Sequence, residues 1–142
     1  MRKMLGTMLL ILLVACDTTV TKEEMATADY GPRPERWQDE IRNYLSIRLI
    51  DPKAALVEFR AGPKMLYQRG TVLRGEQYGW GVCVAVNDKD KSGAFQGFYP
   101  MSFILREEKI VHVNGGPDDG AIIGPNYARK QCEQLGAPFK AD

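Results

Sequence analysis

The most regular alternation in the chain lies between Gln77 and Asn87. Tyr78, Trp80, Val82, Val84 and Val86 fall on one side of an extended backbone, and Gly79, Gly81, Cys83 and Ala85 on the other. A period of two is the signature of a β-strand. Its faces are unlike, one bulky and one nearly bare, and a bare face lets another backbone approach closely. Upstream the period changes. Trp37, Ile41, Tyr44, Leu45 and Leu49 recur at helical spacing and predict a helix over Pro34–Leu49. Pro34 suits the first turn. Glu35, Asp39 and Glu40 precede Arg42 and Arg48, the order that the helix dipole favours, and Asp51-Pro52 stops the helix.

The remaining strand signals are shorter. Leu56–Arg60 reads as a strand ended by Gly62-Pro63, with Lys64–Arg69 and Thr71–Leu73 as weaker candidates. Asp88–Gly93 is a turn, and Ala94–Phe98 is expected to pair back as a hairpin arm. Met101–Arg106 and Lys109–Val113 form a further hairpin around Glu107-Glu108. Asn114–Pro125, rich in Gly, Pro and Asp, is a loop in which Ile122 and Ile123 are the large apolar residues. A last helix is predicted over Asn126–Leu135, with Tyr127, Ala128, Cys132 and Leu135 on one face and Gly136 as its stop.

The first fifteen residues stand apart. Arg2 and Lys3 are basic, and Met4–Ala15 is apolar apart from Gly6 and Thr7. The run is too short to span a bilayer, which takes roughly 20 residues, and has the length of a signal-peptide core. It ends Leu13-Val14-Ala15-Cys16, which resembles the bacterial lipobox. That resemblance implies cleavage before Cys16, a diacylglyceryl group on its sulfur and often a third acyl chain such as palmitate. Two or three acyl chains hold a protein stably where one does so marginally. Residues 1–15 are therefore expected to be a lipoprotein signal peptide, 16–33 a polar lipidated tether, and 34–142 one globular domain. Sixteen flexible residues reach roughly 20–25 Å.

Charge and cysteines narrow the classes. The chain carries 19 basic and 18 acidic side chains; loss of Arg2 and Lys3 leaves 17 against 18. A near-neutral domain without a basic run is a poor nucleic-acid binder, so membrane attachment falls to lipid on Cys16. With Cys16 acylated, Cys83 and Cys132 remain, and an exported pair is most simply a disulfide. It closes a loop of about fifty residues, worth roughly 4 kcal/mol in the chain-entropy model. The small face around Cys83 has room for a helix, and the last helix carries Cys132. The disulfide is expected to pin that helix to that strand.

Candidate chemistry fares poorly. Asp88-Lys89-Asp90-Lys91-Ser92-Gly93 matches the start of a calcium loop, but position twelve is Tyr99 where a bidentate Glu belongs, and two lysines oppose a cation. Asn114-Gly115-Gly116-Pro117-Asp118-Asp119-Gly120 lacks the Gly-Lys-Ser/Thr ending of a phosphate loop. Cys83 and His112 form the Cys–His pair available for catalysis, but a disulfide would consume the thiolate. Glu107 and Glu108, adjacent in a tight turn, are expected to point into solvent. No set of zinc ligands assembles, and no catalytic residue, metal or cofactor is assigned. Tyr78, Trp80, Phe95, Phe98, Tyr99 and Phe103 are read mainly as core, with a ligand groove on the Gln77–Asn87 face as the alternative.

Tyr30-Gly31-Pro32, Trp37 with Ile41, Leu49-Ile50-Asp51-Pro52 with Ala54-Ala55, Tyr78-Gly79, Val82-Cys83, Val86-Asn87, Gly93, Phe95, Gly97 and Phe98 together resemble a group of small proteobacterial lipoproteins. The likeness runs over residues 30–113. The group has no established activity, so it brings no functional residues with it. Asp17 resembles the signal that retains enterobacterial lipoproteins in the inner membrane, which favours that membrane over the outer one.

The expected architecture is α+β: an antiparallel sheet of four or five strands packed with an N-terminal helix and a disulfide-tied C-terminal helix. The expected role is a non-enzymatic, periplasm-facing envelope lipoprotein that binds another protein through Asp118, Asp119, Ile122 and Ile123. The alternatives are an inhibitor of an exported hydrolase such as lysozyme, and a small-ligand binder.

Overall fold

A computed structural model describes residues 21–120 and 122–140. The signal segment and Cys16 lie outside the described residues. The elements are α1 (Lys22–Thr27), α2 (Trp37–Arg48), β1 (Leu56–Gln68), β2 (Gln77–Asn87), β3 (Tyr99–Arg106), β4 (Lys109–Asn114) and α3 (Ile123–Gln134). The four strands form one antiparallel sheet in the order β1-β2-β3-β4. The fold is α+β, with the C-terminal helix tied to the sheet by Cys83–Cys132.

The two faces of β2 hold two separate cores. Val82, Val84 and Val86 pack with Met101, Phe103 and Leu105 against Ile41 and Leu45 of α2 and Leu49 at its C-terminal cap. Trp37 meets Phe59 edge-on at 5.1 Å, and Tyr44 meets Phe103 at 5.6 Å. Cys83 and Ile104 face the other way and pack with Leu66, Cys132 and Leu135. The bare side of β2 is thus the seat of α3. A Cβ at Gly81 would sit 2.9 Å from the Leu66 side chain and 3.2 Å from Leu135 Cδ2, so the glycine sets how closely helix and strand approach. Beyond α3, Gly136 takes φ +87°, its N–H bonds the Glu133 carbonyl, and the Ala137 N–H bonds that of Cys132 at 2.9 Å. This is a Schellman stop.

Several expectations need correction. Gly62-Pro63, a cis peptide, does not end the first strand: β1 continues through it to Gln68, with register shifts between Phe59 and Ala61 and between Ala61 and Lys64. Bulges absorb the extra residues and bend the strand. Ala94–Phe98 is not a hairpin arm; only Phe95 bridges back, to Lys89, and β3 begins at Tyr99. Thr71–Leu73 is a turn, not a strand. The segment read as tether contains α1, capped by a reciprocal Thr21–Glu24 box, and Tyr30 is buried within the body.

The Glu107-Glu108 turn also differs from expectation. Both residues take positive φ, and Glu108 turns back onto the chain. Its carboxylate accepts the Glu35 N–H at 2.6 Å and the Arg36 N–H at 3.0 Å. No side chain of its own caps α2, so Glu108 serves from 72 residues away in sequence. These backbone bonds hold its carboxyl below the usual carboxylate range. A lowered folded-state pKa contributes stability above the unfolded value, about 4.3, and loses it as pH falls through the folded value. Glu108→Gln is therefore expected to melt below the wild type at pH 7, with the gap closing towards pH 2. A gap that stayed constant across thermal melts in this range would show that the charge plays no part.

Candidate functional site

The β1–β2 hairpin does not lie flat. Gln77 is six residues from Cys83, about 20 Å along a straight strand, and Cys83 shares a rung with Ser102, itself paired with Asn114. Yet Gln77 Nε2 donates to Asn114 Oδ1 at 3.1 Å. The hairpin must curl back over the α3 side of the sheet, which the bulges in β1 allow.

Gln131 of α3 fills the space inside this curl. Its Oε1 accepts from Ser102 Oγ at 2.6 Å and from Asn114 Nδ2 at 3.0 Å. Its Nε2 donates to Gln68 Oε1 at 2.7 Å and to Gln77 Oε1 at 3.0 Å. Asn114 and Gln77 exchange amide bonds in both directions. All five side chains are buried. Arg74 closes the network from outside. It donates to Asn114 Oδ1 at 2.8 Å, pairs with Asp119, and lies over the Tyr127 ring at 5.1 Å. Asp119 also accepts the Gly115 N–H at 2.8 Å, and the Tyr127 and Thr71 hydroxyls share a bond of 3.0 Å. The hairpin tip is a clasp shut on α3.

This placement decides the fate of the loop residues. Asp119 is turned inward and spent on Arg74. Asp118 pairs with Arg48 at 2.8 Å. Ile122 and Ile123 remain exposed, at 73% and 37%. Across the clasp from them stand Val72, fully exposed, and Leu73, 68% exposed. These two occupy the apex of a turn in which the Thr71 N–H bonds the Arg74 carbonyl and Thr71 Oγ1 accepts the Leu73 and Arg74 N–H groups. Turn apices ordinarily carry Gly, Pro, Asn, Asp or Ser; two large aliphatics there are an anomaly that the weak strand signal at Thr71–Leu73 concealed.

A second feature is a cavity of about 310 Å³ lined by Asp29, Tyr30, Gly31, Tyr78, Arg106, Glu107, Lys109 and Val111. Tyr30 meets Tyr78 edge-on at 6.1 Å, Tyr67 stacks on Tyr78 at 5.9 Å, and the Arg106 guanidinium lies 4.4 Å over the Tyr78 ring. Trp80 Nε1 donates to the Gly31 carbonyl at 3.1 Å and so fixes the turn that carries Tyr30. Among the described residues, two buried side-chain polar atoms lack a hydrogen-bond partner, Tyr30 Oη and Arg106 Nε. Both residues contribute to the lining of this cavity, while these two atoms are themselves closed to solvent. Burial also raises the Tyr30 phenol pKa above its ordinary value.

The other chemical candidates are absorbed by structure. Asp90 accepts from Ser92 N and Oγ and from Ala94 N, and Asp88 accepts from Tyr99 Oη and Gln96 Nε2, so the oxygens of the calcium-like stretch serve its own turn. Cys83 is bonded to Cys132 and offers no thiolate. His112 is half-buried; burial first, and the Arg106 charge second, push its imidazole below the ordinary value. Ser102 donates to an amide, not to a base. Among the described residues no group of three His, Cys, Asp or Glu gathers to hold a metal. Comparison with family models, curated proteins and solved structures finds no match.

Gln131→Leu removes the hub of the clasp and leaves Ser102, Asn114, Gln68 and Gln77 each short of a buried partner. Urea unfolding is expected to show a loss of roughly 2–4 kcal/mol. A loss below about 1 kcal/mol would mean that the hairpin stays shut without it.

Proposed function

We propose that the protein is a lipid-anchored, non-enzymatic binding head of the bacterial envelope, and that the Tyr30–Tyr78–Arg106 cavity takes a zwitterionic ligand of the amino-acid or short-peptide class. The anchoring rests on the lipobox-like Leu13-Val14-Ala15-Cys16; among the described residues no helix is long and apolar enough to cross a membrane. The observation that carries the ligand reading is the gathering of two cations, Arg106 and Lys109, and two carboxylates, Asp29 and Glu107, with Tyr30 and Tyr78 around one cavity. The volume is at the small end for ligand cavities, about 300–1,000 Å³.

Charge selects the class. Arg106 and Lys109 line the cavity with no ion-pair partner among the described residues, and Glu107 on the same wall is likewise unpaired. A carboxylate suits the guanidinium and ammonium, an ammonium suits Glu107, and the tyrosine rings accept an aliphatic body or a cation. This reading departs from Asp118, Asp119, Ile122 and Ile123 as a protein-binding surface, because two of those four are engaged within the fold.

Dipeptides with apolar, acidic and basic side chains, titrated into the oxidised soluble head and followed by amide chemical shifts, are expected to perturb Tyr30, Tyr78 and Arg106 saturably. Blocking either terminus, by N-acetylation or C-amidation, is expected to weaken binding at least tenfold, as are Arg106→Gln and Glu107→Gln. No saturable shift with any dipeptide at millimolar concentration would end the ligand reading.

A further inference from the structure

We infer that the apex of the clasp, Val72 and Leu73 together with Ile122, is a second membrane contact that lies against the outer surface of the bilayer to which Cys16 is anchored. The inference rests on the lipid-anchoring reading and adds an orientation to it. Its first ground is the length of the leash. A tether of sixteen free residues would let the head turn any face to the membrane. The chain is not free for that long: α1 is fastened to the hairpin. Glu24 accepts from Arg69 Nε at 3.0 Å and Nη2 at 2.7 Å, and Arg69 stands two residues before Thr71, the start of the apolar apex. That pairing, followed by the Thr21 N–H, holds the Glu24 carboxyl down at about 2, so both partners keep their charge at neutral pH. Between Cys16 and Thr21 the chain advances five residues, which span at most about 18 Å fully extended. Covalent length thus keeps the lipid within about 18 Å of Thr21, and α1, which Thr21 caps, is paired through Glu24 with Arg69 beside the hairpin tip.

The second ground is the composition of the tip. Val72 and Leu73 are exposed at the apex of a turn whose backbone is fixed by three bonds to Thr71 and Arg74, and Ile122 is 73% exposed just before α3. Thr71–Tyr127 and Arg74–Asp119 join the two loops that present them. The aliphatics are thus preorganised and do not collapse onto the body. The two arginines that flank the apex in sequence, Arg69 and Arg74, are paired with Glu24 and Asp119. An apolar, locally neutral tip beside an acyl anchor is suited to the headgroup–acyl boundary. The acyl chains supply the affinity; the tip sets which face of the head looks away from the membrane.

The test uses acylated protein purified from its own envelope, with the mass of the N-terminal peptide confirming the lipid, reconstituted into vesicles of phosphatidylethanolamine and phosphatidylglycerol. Single cysteines replace Val72, Leu73 or Ile122, and Lys91, an exposed residue at the far end of β2, serves as reference. Each carries an environment-sensitive fluorophore. Labels at 72, 73 and 122 are expected to shift to the blue and to be quenched by lipids brominated on the acyl chain, and the label at 91 to stay water-like. Water-like emission at all four sites on protein that is acylated and vesicle-bound overturns the inference and leaves the anchoring reading standing. An N-terminal peptide without lipid overturns both. Shielding at 72 and 122 in native membranes but not in protein-free vesicles also overturns it, and assigns the tip to a protein neighbour.

Discussion

The close seat of α3 on the bare side of β2 is the contact on which the rest of the molecule depends. Gly81 removes a side chain that would press on Leu66 and on Leu135 at the end of α3, and Cys83–Cys132 fixes the helix there. Once α3 is in place, Gln131 points into the space above Ser102, and the polar ends of β1 and β2 have something to bond. Without the helix those same amides, Gln68, Gln77 and Asn114, would face an apolar strand surface or water. The curl of the hairpin is therefore a consequence of the helix position, reached through hydrogen bonds more than through apolar burial. The α2 side is different in kind: it is an aliphatic and aromatic core without buried amides. One sheet thus separates a dry half from a polar, clasped half.

Those halves were not equally legible in the sequence. The alternation in Gln77–Asn87 named both faces of β2, and the face carrying Cys132 on the last helix told which side it would take. The helical period through Trp37–Leu49 marked α2 but not the face of the sheet it would cover. Apolar patterning carries such information because burial is non-directional and repeats with the geometry of the element. The clasp has no such period. Gln68, Gln77 and Gln131 are polar residues in ordinary strand and helix positions, and their burial arises from a curl that irregularities in β1 permit. Gly62-Pro63 looked like a strand terminator because the rule for proline assumes a regular ladder, whereas bulged strands continue. Asp119 and Glu108 looked solvated for a related reason: their partners, Arg74, Glu35 and Arg36, are distant in sequence. The signal for α1 was local and readable, since Thr21-x-x-Glu24 is a capping box, and it was hidden by the polar composition around it.

The architecture puts the proposed activities on surfaces the fold has fixed in advance. The cavity is framed by the Tyr30 turn, held by Trp80, and by the β3–β4 hairpin, held by Glu108 against the start of α2. The apolar apex is held by the clasp on α3. The two share the β1–β2 hairpin, since Tyr78 of the cavity follows Gln77 of the clasp in β2 and stacks on Tyr67.

The dependence of the clasp on α3 is tested most directly by amide hydrogen exchange, resolved by segment, in oxidised and in reduced protein under native conditions. The account predicts that reduction lowers protection together in α3 and in Gln68–Gln77, while α2 and the centre of β3 keep theirs. A hairpin tip that stays protected after α3 has opened, or an α2 that opens along with α3, would contradict it.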